Sequence, residues 1–216
     1  MIKLTTDQTF EQKTMKESNN SLELDLQLEV VSWSQVYRSL VDIAKAVQRS
    51  SFVPDVIVAV SRGGLVPARI LSDLLENSNL DTVTTQFYVG VNETKNKPTI
   101  TKEISGSVAG KKVLLVDDLT DSGESLKLVI SYLSSKGASM VKTAMLHRKP
   151  WSVIEPDYFR YETASWVVFP WDQKENVKRL FEKLQALGNT VKDIKEKLIN
   201  LGLNKEVVNQ ISEEKN

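Results

Sequence analysis

The chain has 216 residues, of which 41% are hydrophobic, so it is long enough for one domain with an appendage or for two small domains. Its 28 basic and 28 acidic residues balance, which gives no general attraction to nucleic acid or to an anionic membrane. The sequence has no cysteine and a single histidine, His147, which excludes disulfides, a cysteine nucleophile and multi-histidine metal clusters. No apolar run is long enough to span a membrane, and the first 20 residues are too polar for a secretory signal, so we expect a soluble, cytoplasmic protein.

Strand and helix patterns alternate through the first half of the chain. Leucines alternate with polar residues over 22–31, as in a half-buried strand, whereas the preceding residues are polar throughout. In chain order the pattern predicts a frayed tail over 1–20, a strand over 22–31, a helix that Ser32 or Ser34 caps, a strand over 56–60, a helix over 65–77 and a strand over 83–91. The apolar positions of the first helix are Val36, Leu40, Ile43, Ala44 and Val47.

The second half continues this alternation and then becomes helical. Residues 92–110 are polar and predict a mobile loop or a hairpin. After them the pattern predicts a buried strand over 113–116, a helix that Gly137 terminates, strands over 140–146 and 164–169, and helices from about 173 onward with breaks near Gly188 and Gly202. Alternating strands and helices indicate an α/β protein with a mostly parallel central sheet.

The most informative run is VLLVDDLTDSGESL at 113–126. Its strand is expected to end at two adjacent carboxylates, Asp117 and Asp118, and a short polar loop leads from them into a helix. Backbone N–H groups at a helix N-terminus bind phosphate, and carboxylates beside such a site indicate a ligand with hydroxyls, a metal ion, or both. Ligands of parallel sheets bind beyond the carboxyl ends of the strands. The loops at 61–64 (SRGG), 147–151 (HRKPW) and 166–172 (WVVFPWD) are therefore the other candidates for this site.

These motifs carry a family resemblance. The run VLLVDDLTDSGES resembles the signature loop of the type I phosphoribosyltransferases, which bind phosphoribosyl pyrophosphate (PRPP), and PDVIVAVSRGGLVPAR (54–69) resembles their pyrophosphate loop and following helix. Lys149-Pro150, with Trp166 and the later Pro170-Trp171-Asp172, resembles the bacterial xanthine-guanine phosphoribosyltransferases. The resemblance covers about residues 28–172. It implies the type I phosphoribosyltransferase fold, a mostly parallel central sheet flanked by helices, with a flexible hood loop at 92–105 that closes over the ligand.

The resemblance also implies a role for each loop. Asp117 and Asp118 would hold the ribose hydroxyls and Mg²⁺. The 5′-phosphate would be bound by Asp121, Ser122, Gly123, Glu124 and Ser125, and Asp121 would also lie near the purine N7, where it could assist proton removal. Pyrophosphate would be bound by Ser61, Arg62 and Gly63, and the purine by Lys149, Trp166, Val167 and Asp172. The expected catalytic residues are Asp117, Asp118, Asp121 and Arg62.

Ordinary structural explanations compete with several of these assignments. The acidic pair could be solvated loop charge, and SRGG could be a common strand–helix turn. Lys149 could be a surface lysine, Trp166 could be core packing, and His147 is better explained as structural than as catalytic. Trp171 is expected to pack in the core and is left out of the site.

The function implied is purine salvage by a phosphoribosyltransferase that joins xanthine, guanine or hypoxanthine to PRPP and releases pyrophosphate. The alternative is a non-catalytic regulator of the same fold that senses PRPP or nucleotide and binds nucleic acid. The family also implies a homodimer or homotetramer. We expect a tail over 1–20, a phosphoribosyltransferase domain over 21–172 and a helical extension over 173–216, which either covers the core, forms an oligomer contact or binds a partner.

Overall fold

Five parallel strands and one antiparallel strand form the central sheet of the computed structural model, which describes residues 27–88 and 97–215. The strands in chain order are β1 (Leu28–Val30), β2 (Val56–Ser61), β3 (Leu80–Tyr88), β4 (Lys97–Lys102), β5 (Lys112–Thr120), β6 (Met140–Arg148), β7 (Tyr158–Glu162) and β8 (Trp166–Val168). The helices are α1 (Trp33–Arg49), α2 (Leu65–Leu74), α3 (Glu124–Ser135), α4 (Gln173–Ala186), α5 (Val191–Asn200) and α6 (Lys205–Glu214). The described residues form two compact units, one comprising Val36–Thr163 and the other 27–35 together with the residues from Ala164 onward.

The six-stranded sheet of the first unit has the order β4-β3-β2-β5-β6-β7. All neighbours pair in parallel except β3 and β4, which are antiparallel. The predicted α/β class with a mostly parallel sheet is therefore confirmed. The two central strands, β2 and β5, have continuous apolar runs because both of their faces are covered, and Val113 to Val116 are fully buried.

Two elements of this unit differ from the prediction. The strand predicted to end before the acidic pair continues to Thr120, because its parallel pairing with β6 runs on through Asp117 and Leu119. Strand β7 was not predicted; it lies at the edge of the sheet and pairs in parallel with β6.

The segment predicted as a mobile loop or hairpin contains β4, which pairs antiparallel with β3. This pairing favours the hairpin. Part of the predicted hood loop, 92–96, lies outside the described residues, as do the predicted tail over 1–20 and the first half, 22–26, of the predicted strand over 22–31.

The second unit combines a two-stranded parallel sheet, β1 with β8, and the helices α4, α5 and α6. Its core is formed by Leu28, Val168, Val177, Leu180, Phe181, Leu184, Ile194, Leu198, Leu203, Val208 and Ile211. The helix breaks lie where the glycines predicted them: Gly188 and Gly202 have positive φ, and Thr190 and Asn204 then cap the next helices through their side chains. Within the described residues, no helix is both long and apolar enough to cross a membrane.

The structure groups residues 164–172 with the C-terminal helices, whereas the resemblance assigned them to the phosphoribosyltransferase domain. The predicted division of the chain at residue 172 is based on the resemblance and stays a prediction.

Candidate active site

The loops that follow β2 and β5 meet at the carboxyl edge of the sheet and line a cleft of about 260 Å³. The predicted site residues that line it are Ser61, Arg62, Gly63, Asp117, Asp118, Asp121, Ser122, Gly123 and Ser125. The remaining lining residues are Val60, Thr85, Phe87, Leu119, Thr120, Leu126 and Met145. Of these, the sequence did not single out Thr85 and Phe87, which come from β3 and are brought to the cleft by its pairing beside β2.

The acidic pair lies on the last part of β5, at the floor between the two loops. The amide of Asp118 donates to Oδ1 of Asp117 over 2.9 Å, which fixes the orientation of the Asp117 carboxylate. Burial, followed by the negative charge of Asp118, raises the pKa of Asp117 well above its usual range. Two adjacent carboxylates in a partly buried cleft repel each other, and a bound cation or ligand hydroxyls would stabilise them.

The loop predicted to bind the 5′-phosphate (the phosphate loop, residues 121–125) leads directly into α3. Gly123 is the N-cap of that helix with φ of 83°, so the position favours glycine, which has no side chain to occupy the space in front of the helix. Its carbonyl accepts from Lys127 N over 2.9 Å, and the amide of Glu124 donates to Ser122 Oγ over 3.3 Å. The first turn of α3 therefore presents backbone N–H groups and the positive end of a helix dipole to the cleft. Glu124 is the first helical residue, is exposed, and is not among the cleft-lining residues.

Two adjacent glycines allow the loop predicted to bind pyrophosphate (the pyrophosphate loop, residues 61–64) to approach the acidic pair. A Cβ added to Gly63 would lie 2.5 Å from both carboxylate oxygens of Asp118. A Cβ added to Gly64 would collide with the main-chain oxygen of Val116 and lie 2.8 Å from that of Val60. The peptide bond between Ser61 and Arg62 is cis. The two glycines therefore leave space for different groups. Gly63 leaves space for the Asp118 side chain, and Gly64 leaves space for the backbone of Val116 and Val60.

The loop after β6, residues 149–154, packs against the phosphate loop. Lys149 N donates to Thr120 O over 2.9 Å, and Val153 N donates to Ser122 O over 3.0 Å. The hydroxyls of Thr120 and Ser152 are 3.2 Å apart. Lys149 is only 6% exposed, which excludes the interpretation as a freely solvated surface lysine. The same loop contains Trp151, which was not predicted to be a site residue although it lies in the candidate loop HRKPW.

Trp166, Val167 and Asp172 belong to the second unit. Trp166 Nε1 donates to Asn176 Oδ1 over 2.7 Å, and the Asn176 side-chain amide donates to the carbonyl of Asp172 over 3.1 Å. Val167 is buried and is paired in register with Glu29 of β1. Trp171 stacks on Phe169 with ring centroids 4.9 Å apart, consistent with the packing role expected for it.

A helix N-terminus suited to phosphate and a carboxylate pair suited to a diol or cation lie beside Arg62 at one sheet edge, an arrangement typical of proteins that bind a phosphorylated sugar. The family model described as the phosphoribosyl transferase domain matches residues 27–177. The chain belongs to the phosphoribosyltransferase family, as the sequence predicted.

Relatives within the family carry more specific names. The xanthine-guanine phosphoribosyltransferase of Gluconobacter oxydans (strain 621H) is 32% identical over 144 residues, which cover 66% of this chain and 83% of that protein. The one of Idiomarina loihiensis is also 32% identical over 144 residues, covering 66% and 85%. Among solved structures, a purine phosphoribosyltransferase from Pyrococcus horikoshii Ot3 has a TM-score of 0.61 and 38% identity, covering 67% of this chain and 93% of that one. The predicted resemblance to the xanthine-guanine enzymes is confirmed.

Proposed function

We propose that the protein is a purine salvage phosphoribosyltransferase, which transfers the phosphoribosyl group of PRPP to a 6-oxopurine. The observation that carries this proposal is that Arg62 and Gly63 line the same cleft as the acidic pair and the phosphate loop. The names of the relatives support the same reaction class and the purine, and they offer no support for a nucleic-acid-binding regulator.

In the proposed reaction the bond from C1′ of PRPP to pyrophosphate breaks and a bond from C1′ to the purine N9 forms. The first turn of α3 and the hydroxyls of Ser122 and Ser125 hold the 5′-phosphate, while Asp117 and Asp118 accept hydrogen bonds from the ribose hydroxyls. The Arg62 guanidinium donates to the leaving pyrophosphate, which gains charge as its bond breaks. Asp121 accepts the proton that the purine loses at N7.

The acidic pair also fits Mg²⁺. Magnesium ions in proteins are bound by one or two carboxylates together with substrate oxygens and water, and the adjacent Asp117 and Asp118 offer such carboxylates beside the cleft. Burial and the charge of Asp118 raise the pKa of Asp117, and a bound cation would favour the charged form of both carboxylates. A bound Mg²⁺ would supply charge neutralisation for the pyrophosphate of PRPP.

For the purine we propose Lys149 as the donor to O6 and Trp166 as the ring that stacks on the base. The backbone at Val167 and the region of Asp172 would address the opposite edge, near position 2. Lysine donates only, so it favours an exocyclic oxygen over the amine of adenine. We also propose that the enzyme is a cytoplasmic homodimer or homotetramer and that residues 92–105 form a hood that limits hydrolysis of PRPP by water.

The deciding experiment measures pyrophosphate release by the purified full chain with Mg²⁺, PRPP and each of xanthine, guanine, hypoxanthine and adenine. Turnover with at least one 6-oxopurine, and much less with adenine, supports the proposal. Lys149→Ala should raise KM for the base much more than KM for PRPP, and Asp118→Asn should reduce turnover strongly. No turnover with any base, together with salt-sensitive binding to DNA or RNA, would favour the regulator instead.

A further inference from the structure

Trp151 makes contact with two residues of the proposed site at once. Its indole Nε1 donates to Asp121 Oδ1 over 2.8 Å, and the Lys149 ammonium lies over its ring, 5.6 Å from the centroid. Trp151 is 56% exposed, so it is not held in the core. A large aromatic side chain on the surface buries little apolar area. Trp151 instead contacts Asp121 through its indole N–H and Lys149 through its ring face.

We propose that Trp151 is a positioning residue that sets the purine-binding lysine and the proton-accepting carboxylate relative to each other. The inference depends on the proposed function, because it gives Lys149 and Asp121 their tasks toward the purine. It adds a residue to which neither the sequence motifs nor the proposed reaction assigns a role.

The backbone of the loop after β6 makes Trp151 suitable for this task. The hydrogen bond from Val153 N to Ser122 O joins this loop to the phosphate loop just after Trp151 and just after Asp121. Just before Trp151 in sequence, Lys149 N donates to Thr120 O. Gly123 brings the two loops closer still, since a Cβ there would lie 2.7 Å from Ser152 Oγ. The indole is therefore carried by a backbone that is fixed relative to Asp121.

The two contacts have different chemistry and can be separated. Lysine has a flexible four-carbon side chain whose ammonium has no preferred direction, and a ring face beside Lys149 restricts where its charge can lie. The indole N–H can only donate, so its bond to Asp121 requires a lone pair of Oδ1 and leaves the second carboxylate oxygen as the acceptor for a ligand proton. Phenylalanine at position 151 keeps the ring and removes the N–H, whereas leucine removes both.

The test compares Trp151→Phe and Trp151→Leu in the full chain, with Tyr37→Leu as the control for loss of an exposed aromatic ring, since Tyr37 is 52% exposed on α1. For Trp151→Phe we expect kcat to fall about 5- to 20-fold with KM for the base within about 2-fold. Trp151→Leu should show the same fall in kcat and also a rise of about 5- to 10-fold in KM for the base. KM for PRPP and the thermal midpoint should stay at wild-type values in both variants, and Tyr37→Leu should resemble wild type throughout.

A Trp151→Phe enzyme with wild-type kcat overturns the role assigned to the hydrogen bond from Trp151 to Asp121. Equal KM values for the base in the Phe and Leu variants overturn the role of the ring toward Lys149. If KM for PRPP changes as much as KM for the base, the residue supports the loop in general and is not a positioning residue. If the wild-type protein turns over none of the 6-oxopurines, the proposed function itself is refuted. This outcome is distinct from those of the Trp151 variants.

Discussion

Replacing Gly63 by alanine should damage catalysis while leaving the fold intact. The new Cβ would lie 2.5 Å from both Asp118 carboxylate oxygens and 2.6 Å from the Cγ atom, whereas ordinary contacts begin at 3.4 Å. The carboxylate must therefore move by about 0.9 Å, the difference between 3.4 and 2.5 Å. Misplacement of a catalytic group by about 1 Å can cost on the order of 100-fold in rate, so we expect a fall of about 10- to 100-fold in kcat/KM for PRPP.

The free energy of unfolding should change little in the same variant. The three atoms nearest to this Cβ all belong to the short side chain of Asp118, which can rotate, while alanine restricts the unfolded chain and regains about 0.4–1 kcal/mol. We expect a net change within about 1 kcal/mol, measured by urea unfolding alongside the pyrophosphate-release assay.

Gly64→Ala is the matched control, because its Cβ would meet main-chain oxygens of Val116 and Val60, which cannot rotate away. Overpacking against two central strands should cost about 3 kcal/mol or more of unfolding free energy. The reasoning is refuted if Gly63→Ala keeps wild-type kcat/KM, since the position of Asp118 would then not matter. It is also refuted if the two variants lose equal stability.

Three further changes test other parts of the structure. Gly123→Ala should lower the unfolding midpoint in urea and weaken PRPP binding, because φ is 83° and its Cβ would lie 3.0 Å from Ile154 N; full PRPP affinity would contradict this. Asn176→Leu leaves the Trp166 indole N–H without its acceptor and should cost about 1–3 kcal/mol of unfolding free energy, an effect that should shrink in a Trp166→Phe background, where only the bond from Asn176 to the Asp172 carbonyl is still lost. Asp117 has a raised pKa in the folded state, so the folded protein binds more protons and stability without ligand falls as pH rises above the usual value of 3.8. Asp117→Asn should flatten the profile of unfolding free energy as pH rises above that value, and an unchanged slope would exclude this group.

Elements with strong local patterns were predicted well from the sequence. The continuous apolar runs of β2 and β5 and the helical spacing of Leu126, Val129 and Leu133 depend on burial that the fold confirms. The breaks between the C-terminal helices also follow from local chemistry, since glycine supplies the positive φ that ends each helix.

The elements that were missed depend on pairing between distant segments. Strand β7 is an edge strand with mixed burial and no continuous apolar run, so its sequence carries no clear strand signal. It is held beside β6 partly by Asp157, whose carboxylate accepts from Thr143 N over 2.9 Å. The extension of β5 through the acidic pair has the same origin, because charged residues predict a strand end unless a neighbouring strand continues the hydrogen bonding.

The same distinction separates the parts of the site. The local structure of residues 113–126 was largely predictable because strand, carboxylates, glycine and helix start are consecutive in sequence. The contacts of Gly63 with Asp118 and of Trp151 with Asp121 join residues that are 55 and 30 positions apart, and no local pattern encodes them.

The acidic pair shows where the needs of folding and binding conflict. Apolar residues at positions 117 and 118 would continue the buried strand of Val113 to Val116 without an electrostatic penalty. The chain instead places two neighbouring carboxylates there, and burial and repulsion raise the pKa of the first. Local departures from folding rules are expected at functional sites, where a ligand supplies the missing partner. Under the proposed function, a cation and the ribose hydroxyls would complete the end of β5, and the cost of the acidic pair to the ligand-free protein would become part of its affinity for them.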